Sequence, residues 1–467
     1  MEATNHGLRR ELSLWDLVMM QVLLIVSLNM TGYASKQGPS QLVLWLLAML
    51  LFYLPLAVVV MKLSRAIPME GGVYQWVKEG ISPFAGYMAG WSLTVYIIVY
   101  FASYGSQLAN GMVTAGGSEV SWMANGKWFV VAVTIVICLL ALVLNVVGLK
   151  VTKWLSGIGS LLTFGTFFVL LYLLIRAFLA GRPAAFGSFT LALPAFSMMT
   201  LNVFTKMALF TLSGFDQCGI FAEECQKPKN DVARSVLIAG PLIAFMYILT
   251  TCSMIAYIPT DKVDLAAPVS QVMLAGFGGS SAGRATTAIV VGGYSVSLLA
   301  ALILVVGLVS RLPMAAGWDG LLPDWWSALH PRYKTPTKAI GAVTLSIMLI
   351  GLLSLVGEGN EEGLQVLQAA ALGSYCLMYL LLFGQVVFGF RSGNWHPGIG
   401  IRLGALAAFL VVVMSLVMEL APLGEVANPA QFAIKVTGTI CVANGFGVFL
   451  YWSGKRRRRN IATVPEC

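Results

Sequence analysis

The stretch Val22-Leu23-Leu24-Ile25-Val26-Ser27-Leu28-Asn29-Met30-Thr31-Gly32 decides how the chain is read. A clean apolar run meets Ser27, Asn29, Thr31 and Gly32. Ser, Asn and Thr side chains compete for backbone hydrogen bonds, and Gly frees the backbone angles. A continuous helix is poorly supported there. The pattern breaks again at Lys206 and then at Phe210-Thr211-Leu212-Ser213-Gly214-Phe215-Asp216. A Ser-Gly pair followed by an acid predicts an unwound point. Both stretches lie in segments long enough to cross a bilayer, where polar residues are costly and mark functional sites. A helix break at that depth is tolerated only where it is buried or lines a cavity.

The rest of the chain supplies the bilayer context. Of 467 residues, 58% are hydrophobic and only 10% charged, against roughly 25% charged in soluble domains. Mean hydropathy is +0.83. One soluble core cannot use that much apolar surface, so a soluble enzyme, a nucleic-acid-binding module and a disordered chain are excluded. Twelve apolar segments can span: about 14–34, 41–63, 83–110, 128–147, 151–179, 200–222, 235–258, 284–311, 338–357, 363–390, 399–421 and 430–452. The expected fold is all-α and integral to the membrane. The loops are short, so 14–452 reads as one transmembrane domain. It lies between a tail at 1–13 and a basic tail at 453–467. No cleavable signal peptide is expected, because a second apolar stretch follows the first at once. With the N-terminus inside, cytoplasmic segments hold 21 Lys and Arg and outer ends hold seven. Basic residues favour the cytoplasmic side, which places both termini there. The net charge of +9 then belongs to inner loops and not to nucleic-acid binding. Lys455-Arg456-Arg457-Arg458-Arg459 reads as a stop signal against anionic headgroups.

Spans one and six each open a block of five. Matching breaks in two halves point to an inverted-repeat transporter. Free N–H groups at a half-helix start would attract a carboxylate, and free carbonyls at a half-helix end would attract an ammonium. The competing reading of each break is a kink or hinge without a ligand. Tyr96, Tyr100 and Tyr104 share one face of the third span, either lining a pocket or packing between helices. Lys206 either receives a second carboxylate or snorkels to the outer interface. Asp216 either carries a proton, since burial favours the neutral form, or accepts backbone hydrogen bonds to hold a loop.

The loops add a set of motifs. Arg65-Ala66-Ile67-Pro68-Met69-Glu70-Gly71-Gly72-Val73-Tyr74-Gln75-Trp76 precedes Ser82-Pro83-Phe84-Ala85-Gly86-Tyr87 and Gly90-Trp91. Glu223-Glu224-Cys225-Gln226-Lys227-Pro228-Lys229-Asn230-Asp231 follows span six. Ser310-Arg311 and Asp319-Gly320-Leu321-Leu322-Pro323 follow span eight. Over about residues 12–390 the chain resembles the amino acid–polyamine–organocation (APC) transporters. The resemblance implies a LeuT-type fold: a five-plus-five inverted repeat at about 14–179 and 200–390, helices one and six broken, and two peripheral helices at 399–452. It implies secondary transport of amino acids or related amines by alternating access, as proton-coupled symport or exchange. The substrate-binding set it implies is Ser27, Asn29, Met30, Thr31 and Gly32 on helix one and Ser213, Gly214 and Phe215 on helix six. Phe210 would pack over the substrate as a gate, and Tyr100, from the tyrosine face of span three, completes the expected substrate-binding set. Asp216 stands where many relatives have Glu. The loop helix around Gly71–Tyr74, ending near Gly80, would close the inner mouth, or simply anchor at the membrane surface.

Two departures stand out. The usual G-S/T-G stretch of helix one is reduced to Gly32. The helix-five lysine of many proton-coupled relatives falls, by ungapped counting from Gly148, on Thr163. Coupling then rests on exchange, Na⁺ or another group such as Asp216 or Lys206. The loop at about 111–127 has no Cys, so no disulfide-linked heavy subunit is expected. No cofactor or metal is expected, because the seven cysteines are scattered and the three histidines lie outside the spans. Gly279-Ser280-Ser281-Ala282-Gly283 matches G-x-S-x-G but sits in a loop with no His partner in the spans. The chain is not read as an enzyme. The alternative to a transporter is a non-transporting membrane sensor or assembly partner. Compact loops and short tails suit a bacterial inner membrane, and the partners are a small-molecule substrate and the bilayer.

Overall fold

The computed structural model describes residues 12–67, 71–116, 123, 127–226, 228–265, 267–355, 360–389, 397–422 and 428–462. Residues 1–11 and 463–467 of the two expected tails, Pro68–Glu70 and Lys227 of the loop motifs, and most of the 111–127 loop lie outside them. Among the described residues there is no named strand, only an isolated bridge between Leu12 and Cys225.

The helices begin where the sequence offers caps. Ser13 and Asp16 form a reciprocal capping box, which satisfies two orphan N–H groups and starts α1 (Leu14–Ile25). A short 3-10 turn leads to α2 (Thr31–Ser35), α3 (Gln41–Ala48) and α4 (Leu54–Ala66). The interfacial α5 (Val73–Gly80) precedes α6 (Pro83–Ala102), which Ser82 caps ahead of Pro83. Next come α7 (Tyr104–Gly116), α8 (Lys127–Val147), α9 (Leu149–Leu179) and α10 (Pro183–Gly187). Ser197 caps α11 (Met198–Thr211). It is followed by α12 (Pro228–Tyr257), α13 (Pro268–Phe277), α14 (Ser281–Val309) and α15 (Arg311–Trp318). The chain closes with α16 (Thr337–Leu353), α17 (Asn360–Phe388), α18 (Ile399–Met418) and α19 (Pro429–Ala462).

Nine helices among the described residues are long and apolar enough to cross a membrane, or ten if the bent pair at residues 14–35 is one span. Two of the twelve expected spans fall short. The 14-residue α11 ends at Thr211, where the chain unwinds. The 17-residue α16 is shorter than the ~20 residues that a bilayer core needs. Leu139 and Val143 of α8, Leu161 and Phe168 of α9, Leu410 of α18 and Val442 of α19 point outward and are exposed. Apolar surface on this scale belongs against lipid. The protein is an all-α integral membrane protein.

Inside, α6 runs along α17, α9 along α14, and α1 against α12 and α9. Polar contacts between distant parts of the chain gather at the start of α1 and at α5. Gln226 N–H donates to the Leu12 carbonyl at 2.9 Å. Asp16 pairs with Lys153 at 2.8 Å. Asp319 pairs with Lys78 at 2.8 Å and accepts the Tyr74 hydroxyl. Burial and the Asp319 carboxylate hold the Tyr74 phenol above its ordinary range, so it stays a donor. Gly72 has φ +45, and a Cβ there would sit 2.9 Å from the Gly219 carbonyl carbon. The loop helix therefore touches the segment after α11 backbone to backbone.

Gly72→Ala should cost about 1–3 kcal/mol through strain and overpacking, read as a lower thermal unfolding midpoint of purified protein. Gly278→Ala is the control: its φ is +79, but nothing lies within 4 Å, so only the strain remains. Equal losses at the two positions would remove the Gly219 contact from the account.

Candidate functional site

α1 ends at Ile25, and the chain turns 45° before it resumes as helix. Val26 and Ser27 leave helical geometry with ψ 86 and ψ 97. Tyr247 of α12 bridges the gap. Its hydroxyl donates to the Ile25 carbonyl at 2.6 Å and accepts the Ser27 N–H at 3.0 Å. The ring is held by stacking on Trp45, with centroids 5.3 Å apart. Tyr294 of α14 accepts the Asn29 N–H at 3.3 Å.

α11 ends at Thr211, and Leu212–Gly214 are not helical. Gly214 has φ +93, and a Cβ there would meet Ile25 Cγ1 at 3.1 Å. The two breaks therefore abut, with the last residue of α1 lying on Gly214. Here Tyr379 of α17 is the bridge. Its hydroxyl accepts the Gly214 N–H at 3.2 Å and donates to Asp216 Oδ1 at 2.7 Å. Phe52 packs edge-on to that ring. Tyr375, one turn away on α17, reaches Asp216 Oδ1 at 3.4 Å and accepts from Gln217 at 3.2 Å. Tyr375 also stacks on Tyr96, with centroids 3.9 Å apart. Tyr96 stacks on Tyr100, and Tyr100 lies 5.5 Å from Phe210. An aromatic wall thus joins one side of the second break to the other.

Not every expected site residue faces this wall. Asn29 donates to Gln107 at 3.3 Å, and the Thr31 hydroxyl donates to the Leu28 carbonyl at 2.5 Å. A Cβ on Gly32 would meet Pro268 at 3.1 Å, so that glycine allows close packing with α13. Met30 is buried. Phe215 packs against Tyr53, and the Ser213 hydroxyl donates to the Leu209 carbonyl. Thr163 bonds back to the Gly159 carbonyl of its own helix at 3.0 Å. Two polar atoms at the breaks are buried without a well-formed hydrogen bond: Ser27 Oγ, which the Tyr100 and Tyr294 hydroxyls approach, and Asp216 Oδ2. Lys206 is buried, its ammonium 2.6 Å from Glu419 at the end of α18 and over the Phe210 ring. Neither expectation for Lys206 named that partner.

Sequence reading missed Tyr247, Tyr294, Tyr375, Tyr379 and Glu419. Tyr375 and Tyr379 carry the same four-residue spacing that marks Tyr96 and Tyr100, and an acid closing the eleventh span is visible as Glu419. Tyr247 and Tyr294 are single tyrosines in apolar runs and carry no such signal. Among the described residues no group of three His, Cys, Asp or Glu could hold a metal.

Tyr379→Phe should orphan the buried Gly214 N–H, at about 1–3 kcal/mol, and leave Asp216 Oδ1 with only the 3.4 Å side-chain bond from Tyr375. Tyr375→Phe should cost less, since its bond to Asp216 is the longer one. Thermal unfolding of the purified variants checks this. A Tyr379→Phe protein as stable as wild type would show that the hydroxyl does not hold the break.

Comparison with known proteins points to a family of transporters. The family model described as amino acid permease matches residues 12–443. An uncharacterized transporter of Legionella pneumophila is 24% identical over 387 residues, 82% of each chain. A chloroplastic cationic amino acid transporter of Arabidopsis thaliana is 24% identical over 94% of this chain and 76% of its own. A methylthioribose transporter of Bacillus subtilis is 23% identical over 79% of this chain and 82% of its own. With a family match over nearly the whole chain, the protein belongs to the amino acid permease family and is a membrane transporter of small solutes.

Proposed function

We propose that the cargo is an amino acid or a related amine, bound where the two helix breaks abut. The observation that carries this reading is the pair of buried polar atoms left without a well-formed hydrogen bond, Ser27 Oγ and Asp216 Oδ2, at breaks in contact through Ile25 and Gly214. A carboxylate oxygen is an acceptor for an ammonium, and a hydroxyl serves either end of a zwitterion. Tyr100 and Phe210 supply an aromatic face for the rest of the substrate. Thr31, Gly32, Ser213 and Phe215 then act by setting the shape of the breaks. The relative named for cationic amino acids supports the amine end.

The reading takes the chain to cross twelve times in a LeuT-type five-plus-five repeat, with α11 and its 3-10 continuation as span six and α16 as span nine. Both termini lie in the cytoplasm of a bacterial inner membrane. The Asp16–Lys153 and Asp319–Lys78 pairs and the Leu12–Gln226 bond are then the closed inner gate. Transport requires these contacts to break when the other side closes. Substrate shifts that balance only by binding the two states unequally. Asp216 is the coupling group: Thr163 offers no charge, and Lys206 is committed to Glu419.

Uptake into proteoliposomes tests both parts. The panel is neutral, acidic and basic amino acids, polyamines and methylthioribose. Each is run with a proton gradient, with a Na⁺ gradient and with unlabelled solute inside. Uptake of an amino acid or amine is expected. Asp216→Asn should lose stimulation by the ion gradient and, because it also removes the charge that accepts the ammonium, should raise the solute concentration needed for half-maximal counter-exchange. Uptake of methylthioribose alone would overturn the cargo reading. A gradient response unchanged in Asp216→Asn would overturn the coupling role.

A further inference from the structure

Away from the breaks, two cavities lie where α19 leaves the apolar core. The first, about 420 Å³, is walled by Trp91 and Thr94 of α6, Ser346 of α16, Phe446 of α19, and Trp325 and Trp326 of the loop between α15 and α16. The second, about 310 Å³, is lined by Asp324, Ser453, Gly454, Arg457 and Arg458. Leu322, Pro323 and Leu450 line both, so the two lie side by side. One is apolar and aromatic. The other presents two guanidinium groups against one carboxylate.

We propose that this pair of cavities binds one anionic phospholipid of the surrounding bilayer. An acyl chain occupies the apolar part, and the phosphodiester rests on Arg457 and Arg458. Several features agree. Seven residues of helix separate Leu450 from Arg457, about 10 Å of rise, so a headgroup at the arginines leaves its chain level with Phe446 and Trp91. Trp and Tyr gather at the depth of lipid headgroups, and Tyr87, Trp91, Trp325 and Trp326 are all here. Guanidinium forks match phosphate oxygens with paired hydrogen bonds. Each volume falls in the ~300–1,000 Å³ range of built ligand sites. Asp324 works against an anion, and the site keeps a net positive charge in spite of it. Lys455 is turned aside, over the Trp452 ring.

The site also touches the polar contacts at α5. The Arg458 guanidinium lies on Gly320, which has φ +68 and no side chain to obstruct it. The neighbouring Asp319 holds Lys78 and Tyr74, and the Tyr74 ring lines the apolar cavity. A bound lipid braces α5 from behind.

The test uses the full-length protein in phosphatidylcholine vesicles and does not depend on the cargo. Phosphatidylglycerol or phosphatidylcholine with brominated acyl chains is added at matched mole fractions, and tryptophan quenching is followed. Brominated phosphatidylglycerol should reach half its effect at about fivefold lower mole fraction, given the attraction of basic residues for anionic lipid. Arg457→Gln with Arg458→Gln should bring the two curves together. Ser346→Phe, which fills the apolar part and leaves the arginines, should do the same. Identical curves for wild type would overturn the proposal. So would a preference that survives both variants, since that is attraction to the basic run at large.

Discussion

An apolar medium does not forgive an unpaired backbone group, and this fold opens two helices inside one. Each opening frees N–H and C=O groups that water cannot reach. A tyrosine hydroxyl, at once donor and acceptor, closes each account: Tyr247 at Ile25 and Ser27, Tyr379 at Gly214 and Asp216. Everything else at the centre follows from where those rings must stand. Trp45 and Phe52 fix them. Tyr96, Tyr100 and Tyr375 extend the aromatic wall. Glycine suits position 214 because its φ is +93 and a Cβ there would crowd Ile25 Cγ1 at 3.1 Å.

The buried charges obey the same constraint. Lys206 and Glu419 make a single close pair. Such a pair is a weak source of stability, yet removing one partner leaves the other stranded at about 3–5 kcal/mol. Its structural effect is to tie α11, just before its break, to the end of α18. At the start of α1 and at α5 the pairs are partly exposed, where ion pairs are worth only about 0–1 kcal/mol each. In the proposed cycle these are the contacts that open and close, and that weakness suits them, whereas the contacts that hold the breaks are buried.

The sequence showed most where the signal is local. Apolar runs, serine caps and the Ser-Gly-Phe-Asp stretch each carry their own physics within a few residues. The first helix stops at Ile25, at the leading edge of the stretch from Ser27 to Gly32, and α-helix resumes at Thr31, whose hydroxyl bonds back to the Leu28 carbonyl. What spacing cannot tell is which helix faces which. The partners of the breaks lie far along the chain, as Tyr247 does from Ile25 and Glu419 from Lys206. For that reason Lys206 invited readings as a snorkelling side chain or a substrate receptor. Gly32 lacks the Cβ that would crowd Pro268 at 3.1 Å, a packing role no periodicity reveals.

The central claim is that the abutting breaks are where solute binds. Hydrogen–deuterium exchange of the reconstituted protein tests it most directly, with and without saturating amounts of each amino acid and amine that it takes up. The account predicts slowed exchange of the amides at 27–32 and 213–217 together, with one and the same solute. Protection confined to other segments, with both breaks unchanged, would contradict it.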